Sequence, residues 1–312
     1  MNKFKKYRAS QVEKLIKKSY QSNIARSSRR IFFNDLFESV EKRGYWHSDI
    51  WSGMGSGILI KFKNTFFLMT AQHVLKDYIK GKEANFPNES PFWAEVSNQA
   101  NPESLYDYLM PKKIWLIGEL INTDDIIDTS DVLLIELYYP KPFHMPDNFI
   151  NIENNKIISK KEDFYERRVL SISGFPFEKN SFDWDIEHPN PIITHSTTIQ
   201  RHHIIGVFID DKKLGYISFK YTNGDIQHKN VVGMSGGIVY DVQNKANQTK
   251  FCGMILTAGN NTCRFIPSYL LYDAIINYKS STSIIVDPAE NEIQDPKKIM
   301  EHIKNYLKEF SH

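Results

Sequence analysis

Three side chains in this 312-residue chain have the types needed to activate a hydroxyl group: His73, Asp131 and Ser235. A serine hydroxyl is a weak nucleophile near neutral pH. It needs a neighbouring base, and an imidazole base needs an acceptor that fixes its tautomer and stabilises the imidazolium. His73 follows the apolar run "TFFLMTA" by two residues, so a strand end would hold it while leaving it open to a cleft. Asp131 stands directly before "VLLIEL", where a carboxylate is partly desolvated. Asp124, Asp125 and Asp128 are the competing carboxylates. They sit in a polar loop with no apolar strand directly after them, so Asp131 is the preferred acid. The gaps along the chain are 58 residues (131 − 73) and 104 residues (235 − 131).

Ser235 lies in "NVVGMSGGIVYD", among Gly233, Gly236 and Gly237. Glycines inside a strand-like run weaken it and mark a turn, a bulge or a close backbone approach. A loose turn between two strands is one reading. The other is an oxyanion cradle over Gly233, Met234 and Ser235, with the amides of Gly233 and Ser235 as donors to a developing negative oxygen. Ser56, in Gly-Ser-Gly, reads as a turn leading into a strand. His202 and His203 are adjacent, so on a strand they point to opposite faces and do not share a metal. No His-Glu-x-x-His, paired Cys-x-x-Cys or phosphate-binding loop is present, and the reading requires no cofactor.

From about Trp51 the chain is a series of short β-rich runs punctuated by Gly, Asn, Asp or Pro. They include "SGILIKF", "KIWLIGELI", "RVLSISGF", "HHIIGVFI", "LGYISFKY" and "FCGMILTAG". Many short strands without long intervening helices predict an all-β sandwich or barrel. Four segments follow. Residues 1–50 read as a helical extension, with Ser10 and Glu13 spaced as a capping box. Val12, Leu15, Ile16 and Tyr20 form one apolar face, and Phe33, Leu36, Phe37 and Val40 form a second. Residues 51–160 and 161–280 read as two β units, joined by a polar, proline-bearing linker over Pro140 to Glu166. "PSYLLYDAIINY" reads as a helix closing the second unit. Residues 281–312 end in a helix capped by Asp295 with Pro296 in its first turn.

Hydrophobic residues make up 41% of the chain, enough for a sizeable core. The 39 basic and 37 acidic residues nearly cancel, which gives no electrostatic basis for nucleic acid as a partner. No apolar run is long enough to span a bilayer, and no apolar core follows the basic N-terminal residues as in a secretory signal. The two cysteines, Cys252 and Cys263, read as buried free thiols, with a single bridge as the alternative. The expected location is therefore cytoplasmic. The terminal helices are expected to pack on the main body or to dock a regulatory partner protein.

"GMGSGILIKF…FFLMTAQHVL", "SDVLLIEL" and "GMSGGIVYD…FCGMILTAG" occur in that order. Together they resemble the trypsin-like (chymotrypsin-fold) serine peptidases, and more closely the bacterial HtrA-like branch without PDZ domains. Gly174-Phe175-Pro176 and "RFIPSYLLYDAI" extend the resemblance over about Trp51 to Tyr278. It implies two Greek-key six-stranded β-barrels with the site between them. His73 and Asp131 would come from the first barrel and Ser235 from the second. It also implies that Thr257, Ala258 and Gly259 pair with an extended polypeptide substrate. The expected activity is that of a serine endopeptidase. A silent peptide-binding module is the alternative, and so is an effector switched on by a partner.

Two features set this chain apart from the pattern. Met234 stands where the family carries an aspartate that pairs with a newly cut N-terminus, so that route of maturation is closed. Shortly before the serine, His228 and Lys229 occupy the region that forms the specificity pocket. A cation there would favour an acidic residue before the cut, whereas a solvated loop would leave both side chains in water.

Overall fold

A computed structural model describes residues 9–34, 51–75, 92–95, 108–123, 128–140, 145–166, 168–180, 182–184, 195–197, 200–211, 216–221, 230–242, 249–259 and 262–285. The molecule is mostly β, with a few short helices. Its first strands are β1 (Ser28–Asn34), β2 (Trp51–Phe62), β3 (Thr65–Ala71), β4 (Phe92–Glu95), β5 (Tyr108–Leu109), β6 (Pro111–Trp115), β7 (Val132–Leu137) and β8 (Ile150–Asn151). The later ones are β9 (Val169–Gly174), β10 (Phe182–Trp184), β11 (His195–Thr197), β12 (His202–Asp211), β13 (Tyr216–Tyr221), β14 (Ile238–Asp241), β15 (Phe251–Ala258), β16 (Thr262–Pro267) and β17 (Ser283–Ile285).

These strands build two principal antiparallel sheets. The first runs β17-β6-β7-β3-β2-β1-β4-β5, with β8 added in parallel to β2. The second closes on itself in the order β12-β13-β16-β15-β14-β9, a six-stranded barrel. Among the described residues, one six-stranded barrel closes where the sequence suggested a matched pair. Among the described residues the first sheet has nine strands, and its end strands β17 and β5 do not pair. β10 and β11 form a separate two-stranded ribbon.

Alternating apolar residues explain the layering. Leu59, Phe66, Leu68, Leu133 and Ile135 fill one face of the first sheet. Ile58, Phe67, Met69, Val132 and Leu134 fill the other. That second face shares a cluster with Ile238, Tyr240, Met254 and Ile266 of the second sheet. Leu271, Ala274 and Ile275 of the helix Ser268–Ile276 join the same cluster. Barrel strands turn Leu170, Ile172, Val239, Ile255 and Phe265 inward. Period-two alternation puts residues i and i+2 on one face, so both faces of a buried strand must be apolar.

Several sequence expectations change here. Only Ala9–Tyr20 (α1) and the short turn Asn23–Arg26 (α2) are helical in the described N-terminal part. Phe33, expected on a second helix, lies in β1, which pairs antiparallel with β2 and β4. Leu36, Phe37 and Val40 lie outside the described residues. Pairing to two neighbours supplies the backbone partners that helical spacing alone would not, and tertiary context overrides a weak local preference. The expected linker is packed: Ile150, Ile152, Ile157 and Ile158 are buried in the cluster shared by both sheets. Residues 283–285 are a strand returning to β6, and Asp295 and Pro296 lie outside the described residues. Cys252 and Cys263 are free and buried. Burial pushes both thiols up, Cys252 to about 12.

Candidate active site

Strand register brings the acid and the base together. β3 and β7 pair antiparallel up to Ala71 and Val132. His73 lies two residues past the end of β3, in the 3-10 turn Gln72–Leu75. Asp131 lies one residue before β7, at the end of the 3-10 turn Thr129–Asp131. Its carboxylate grips His73 twice. Oδ2 is 2.7 Å from the ring Nδ1, and Oδ1 accepts the His73 backbone N–H at 2.9 Å. This double contact fixes both the ring and its backbone and leaves Nε2 as the free ring nitrogen. The His73 side chain is 43% exposed and that of Asp131 is 16% exposed.

The neighbouring groups have structural tasks. Asp128 caps the Thr129–Asp131 turn, accepting from the Ser130 N–H at 3.2 Å and from the Ser130 hydroxyl at 2.5 Å. That employment separates it from Asp131. Asp124 and Asp125 lie outside the described residues. Gly55 leaves room for Val74, whose Cγ1 would be 2.1 Å from a Cβ at position 55. Gly118 likewise admits the Thr129 carbonyl, 2.0 Å from its would-be Cβ. The turn Ile117–Leu120 thereby seats against the one that ends at Asp131.

The serine comes from the other sheet, in the turn between Asn230 and β14. Gly233 has φ 90° and Gly236 φ 80°, both in the left-handed region that glycine adopts without strain. A Cβ on Gly236 would lie 2.1 Å from the Ser56 carbonyl oxygen and 2.4 Å from Thr70 Oγ1. The turn is thus seated against β2 and the end of β3, three residues ahead of His73. Among the described residues, no hydrogen bond joins the Ser235 hydroxyl to His73.

The carbonyls from Val232 to Ser235 are each held. Val232 O accepts from the Phe177 N–H at 2.8 Å, and Gly233 O from the Ser56 hydroxyl at 2.8 Å. Met234 O accepts from the Gly237 N–H at 2.9 Å, and Ser235 O from the Ser56 N–H at 3.1 Å. A trans peptide points its N–H opposite to its C=O. Holding Val232 O and Met234 O therefore aims the amides of Gly233 and Ser235 the other way. Among the described residues, neither amide donates to a backbone acceptor. The Met234 amide is committed to Val231 O at 3.0 Å. Within the expected segment of Gly233, Met234 and Ser235, Met234 is therefore an anchor of the turn. Its side chain is fully buried in the barrel core. Burying such a side chain stabilises by about 1.5–3 kcal/mol.

Beyond the turn, β14 reaches β15 only as far as Ile255, whose N–H donates to Gly237 O and whose carbonyl accepts from the Gly236 N–H. Thr257, Ala258 and Gly259 run past that point. Their other side pairs with β16, through Thr257↔Arg264, Ala258↔Cys263 and the Gly259 N–H to Thr262 O at 2.9 Å. Among the described residues, the β14-side edge of this stretch is unpaired. His228 and Lys229 lie outside the described residues.

Sequence reasoning missed Ser56. It lies within β2, is fully buried, and joins the two sheets rather than turning the chain. The signal that could have found it is the polar residue between two glycines ahead of an apolar run. Among the described residues, no three His, Cys, Asp or Glu side chains are placed to hold a metal ion. Likewise, no described helix is long and apolar enough to cross a membrane. His202 and His203 occupy β12, and His203 is structural. Its ring stacks on Tyr20 of α1, with centroids 4.2 Å apart, and its Nδ1 is 2.9 Å from the Tyr240 hydroxyl. Compared with known protein families and with curated proteins, the chain matches none.

Proposed function

We propose that the chain is a serine endopeptidase of the chymotrypsin fold, working through Ser235, His73 and Asp131. The observation that carries this reading is the combination of an exposed, carboxylate-gripped imidazole with a serine turn whose two amides are turned away from held carbonyls. His73 Nε2 takes the Ser235 proton as Oγ attacks the scissile carbonyl carbon. The tetrahedral oxyanion is met by the Gly233 and Ser235 amides. His73 then delivers the proton to the leaving amine as the C–N bond breaks, and an acyl-serine remains. Water, deprotonated by His73, attacks the acyl carbon, and the proton returns to Ser235 as the acid product leaves. Asp131 holds the ring through both steps and carries no proton. Thr257 to Gly259 take the substrate as an added strand on their open edge.

The reading includes a cytoplasmic location, supported by the two free thiols, and a regulatory protein partner at the terminal segments. A catalytically silent peptide-binding module is the second reading. It is favoured by the lack of a Ser235–His73 hydrogen bond among the described residues. A fluorophosphonate probe separates the two. The wild type is expected to label and Ser235→Ala is not. Loss of the serine in such a system lowers turnover by roughly 10⁶-fold, so the assay has range. If the wild type labels no better than Ser235→Ala, with cell extract present as without it, the silent module stands.

A further inference from the structure

The acidic residue that would pair with a new N-terminus is a methionine here, so the serine turn must be set by something else. The Ser56 hydroxyl lies at the meeting point of three segments. It accepts from the Phe175 N–H at 2.8 Å and donates to Gly233 O at 2.8 Å. The direction of this relay is fixed by chemistry. An amide only donates and a carbonyl only accepts, so the hydroxyl between them must send its proton to Gly233. The backbone of Ser56 is tied as well. Its N–H donates to Ser235 O, and its carbonyl accepts the Thr70 hydroxyl at 2.7 Å. Ser56 is fully buried, so water does not compete for these groups. Room for the hydroxyl is left by Gly174, whose would-be Cβ lies 2.9 Å from Ser56 Oγ.

We propose that Ser56 is a positioning residue for the reaction: its hydroxyl locks the Gly233 carbonyl and so holds the oxyanion cradle in its working form, with no N-terminal cleavage needed. This rests on the endopeptidase reading. Phe175 and Gly233 belong to the barrel half and Ser56 to the first sheet, so the lock closes only when the two halves meet. Without the hydroxyl, Gly233 O loses its donor, and the peptide after Gly233 is held on one side alone, by the Met234 N–H to Val231 O at 3.0 Å. A shift of that peptide moves the adjoining Gly233 and Ser235 amides off the oxyanion position. The Asp131–His73 pair is untouched. The expected deficit is therefore in the acylation step and in kcat, with KM kept.

The test measures the second-order rate of fluorophosphonate labelling, peptide kcat and KM, and Tm. It uses full-length wild type, Ser56→Ala, Ser56→Cys, Ser171→Ala and Ser235→Ala. Ser171 is a buried barrel serine whose hydroxyl donates to Ile204 O at 3.1 Å, and it controls for loss of a buried hydroxyl. Ser56→Ala is expected to label on the order of 10²-fold more slowly, the scale of a lost oxyanion donor. KM should stay close to wild type, and Ser171→Ala should label at the wild-type rate with a comparable fall in Tm. Ser56→Cys keeps a weaker, longer donor and should fall about tenfold. It also carries the test if Ser56→Ala does not fold. The proposal is overturned if a folded Ser56 variant labels within about threefold of wild type, or if Ser171→Ala slows equally. A wild type that does not label removes the endopeptidase reading itself and the proposal with it, an outcome distinct from both.

Discussion

The two halves of the site are held in opposite ways. His73 rides on a short exposed turn, and a single carboxylate fixes its ring. Ser235 sits in a turn whose carbonyls from Val232 to Ser235 are each engaged, by groups from Phe177, Ser56 and Gly237. The difference matches the work proposed for each. A base that first takes and then gives a proton needs one ring nitrogen open to both the serine and the leaving group, with the ring held from its other side. Amides that meet a developing charge work best when already in place, because preorganised dipoles cost no reorganisation during reaction. One half is tethered and the other is locked.

Substitutions can break this contrast. The largest effect is expected on the tethered half. Asp131→Asn should slow peptide turnover by about 10⁴-fold by permitting the wrong histidine tautomer, with little change in Tm, since the residue is at a surface turn. Peptide hydrolysis and a thermal melt check this, and a loss under tenfold would mean that Asp131 does not orient the base. On the locked half, Gly236→Ala forces a Cβ into the Ser56 carbonyl at a φ of 80°. It should cost about 10²–10³ in acylation together with about 1–3 kcal/mol of stability, read by probe labelling and denaturant melts. Gly118→Ala pushes against Thr129 O and displaces the turn that ends at Asp131. A shift of about 1 Å can cost up to 10²-fold, so peptide turnover is expected to slow by about one to two orders of magnitude, with KM retained.

The smallest effect concerns a histidine outside the site. Burial, with Arg201 and His202 nearby, pushes His203 down to about 3, whereas an unfolded histidine titrates near 6.5. As pH falls from about 6.5 toward 3, the unfolded chain takes up this proton before the folded one does. Stability is then lost progressively across that window, and above it His203 costs nothing. Tm is expected to drop by a few degrees between pH 7.5 and pH 5, and His203→Gln should flatten that slope. Equal slopes in wild type and variant would show that His203 is not kept neutral by the fold.

Much of the tethered half was legible in the sequence, because its parts are local to strand ends. A histidine two residues past one apolar run and an aspartate one residue before another meet as soon as those runs pair antiparallel. The glycines around Ser235 were legible as a shaped turn, since positive φ and close approach both call for glycine. What holds that turn was not, because its partners come from Ser56 and Phe177, distant in the chain and plain in type. The same distance hid β1. Phe33 fits a helical stripe on spacing alone, and only pairing with β2 and β4 makes it a strand. The isoleucines from 150 to 158 sit among polar residues, so composition read as linker what burial shows to be core.

The short return strand β17 has a consequence in time. The Thr282 carbonyl accepts from the Leu116 N–H at 2.9 Å, and the Thr282 N–H donates to the Glu119 carboxylate at 3.0 Å. The turn so clasped is the one on which the Asp131 turn rests. Asp131 is therefore braced by a residue synthesised 151 positions after it (282 − 131). At typical ribosomal rates that is a lag of roughly 8–30 s. During that interval the growing chain carries its histidine and its aspartate without the brace, and the serine itself has still to emerge for part of it. Order of synthesis thereby acts as a timer, leaving the Asp131 turn without its brace until Thr282 has been made.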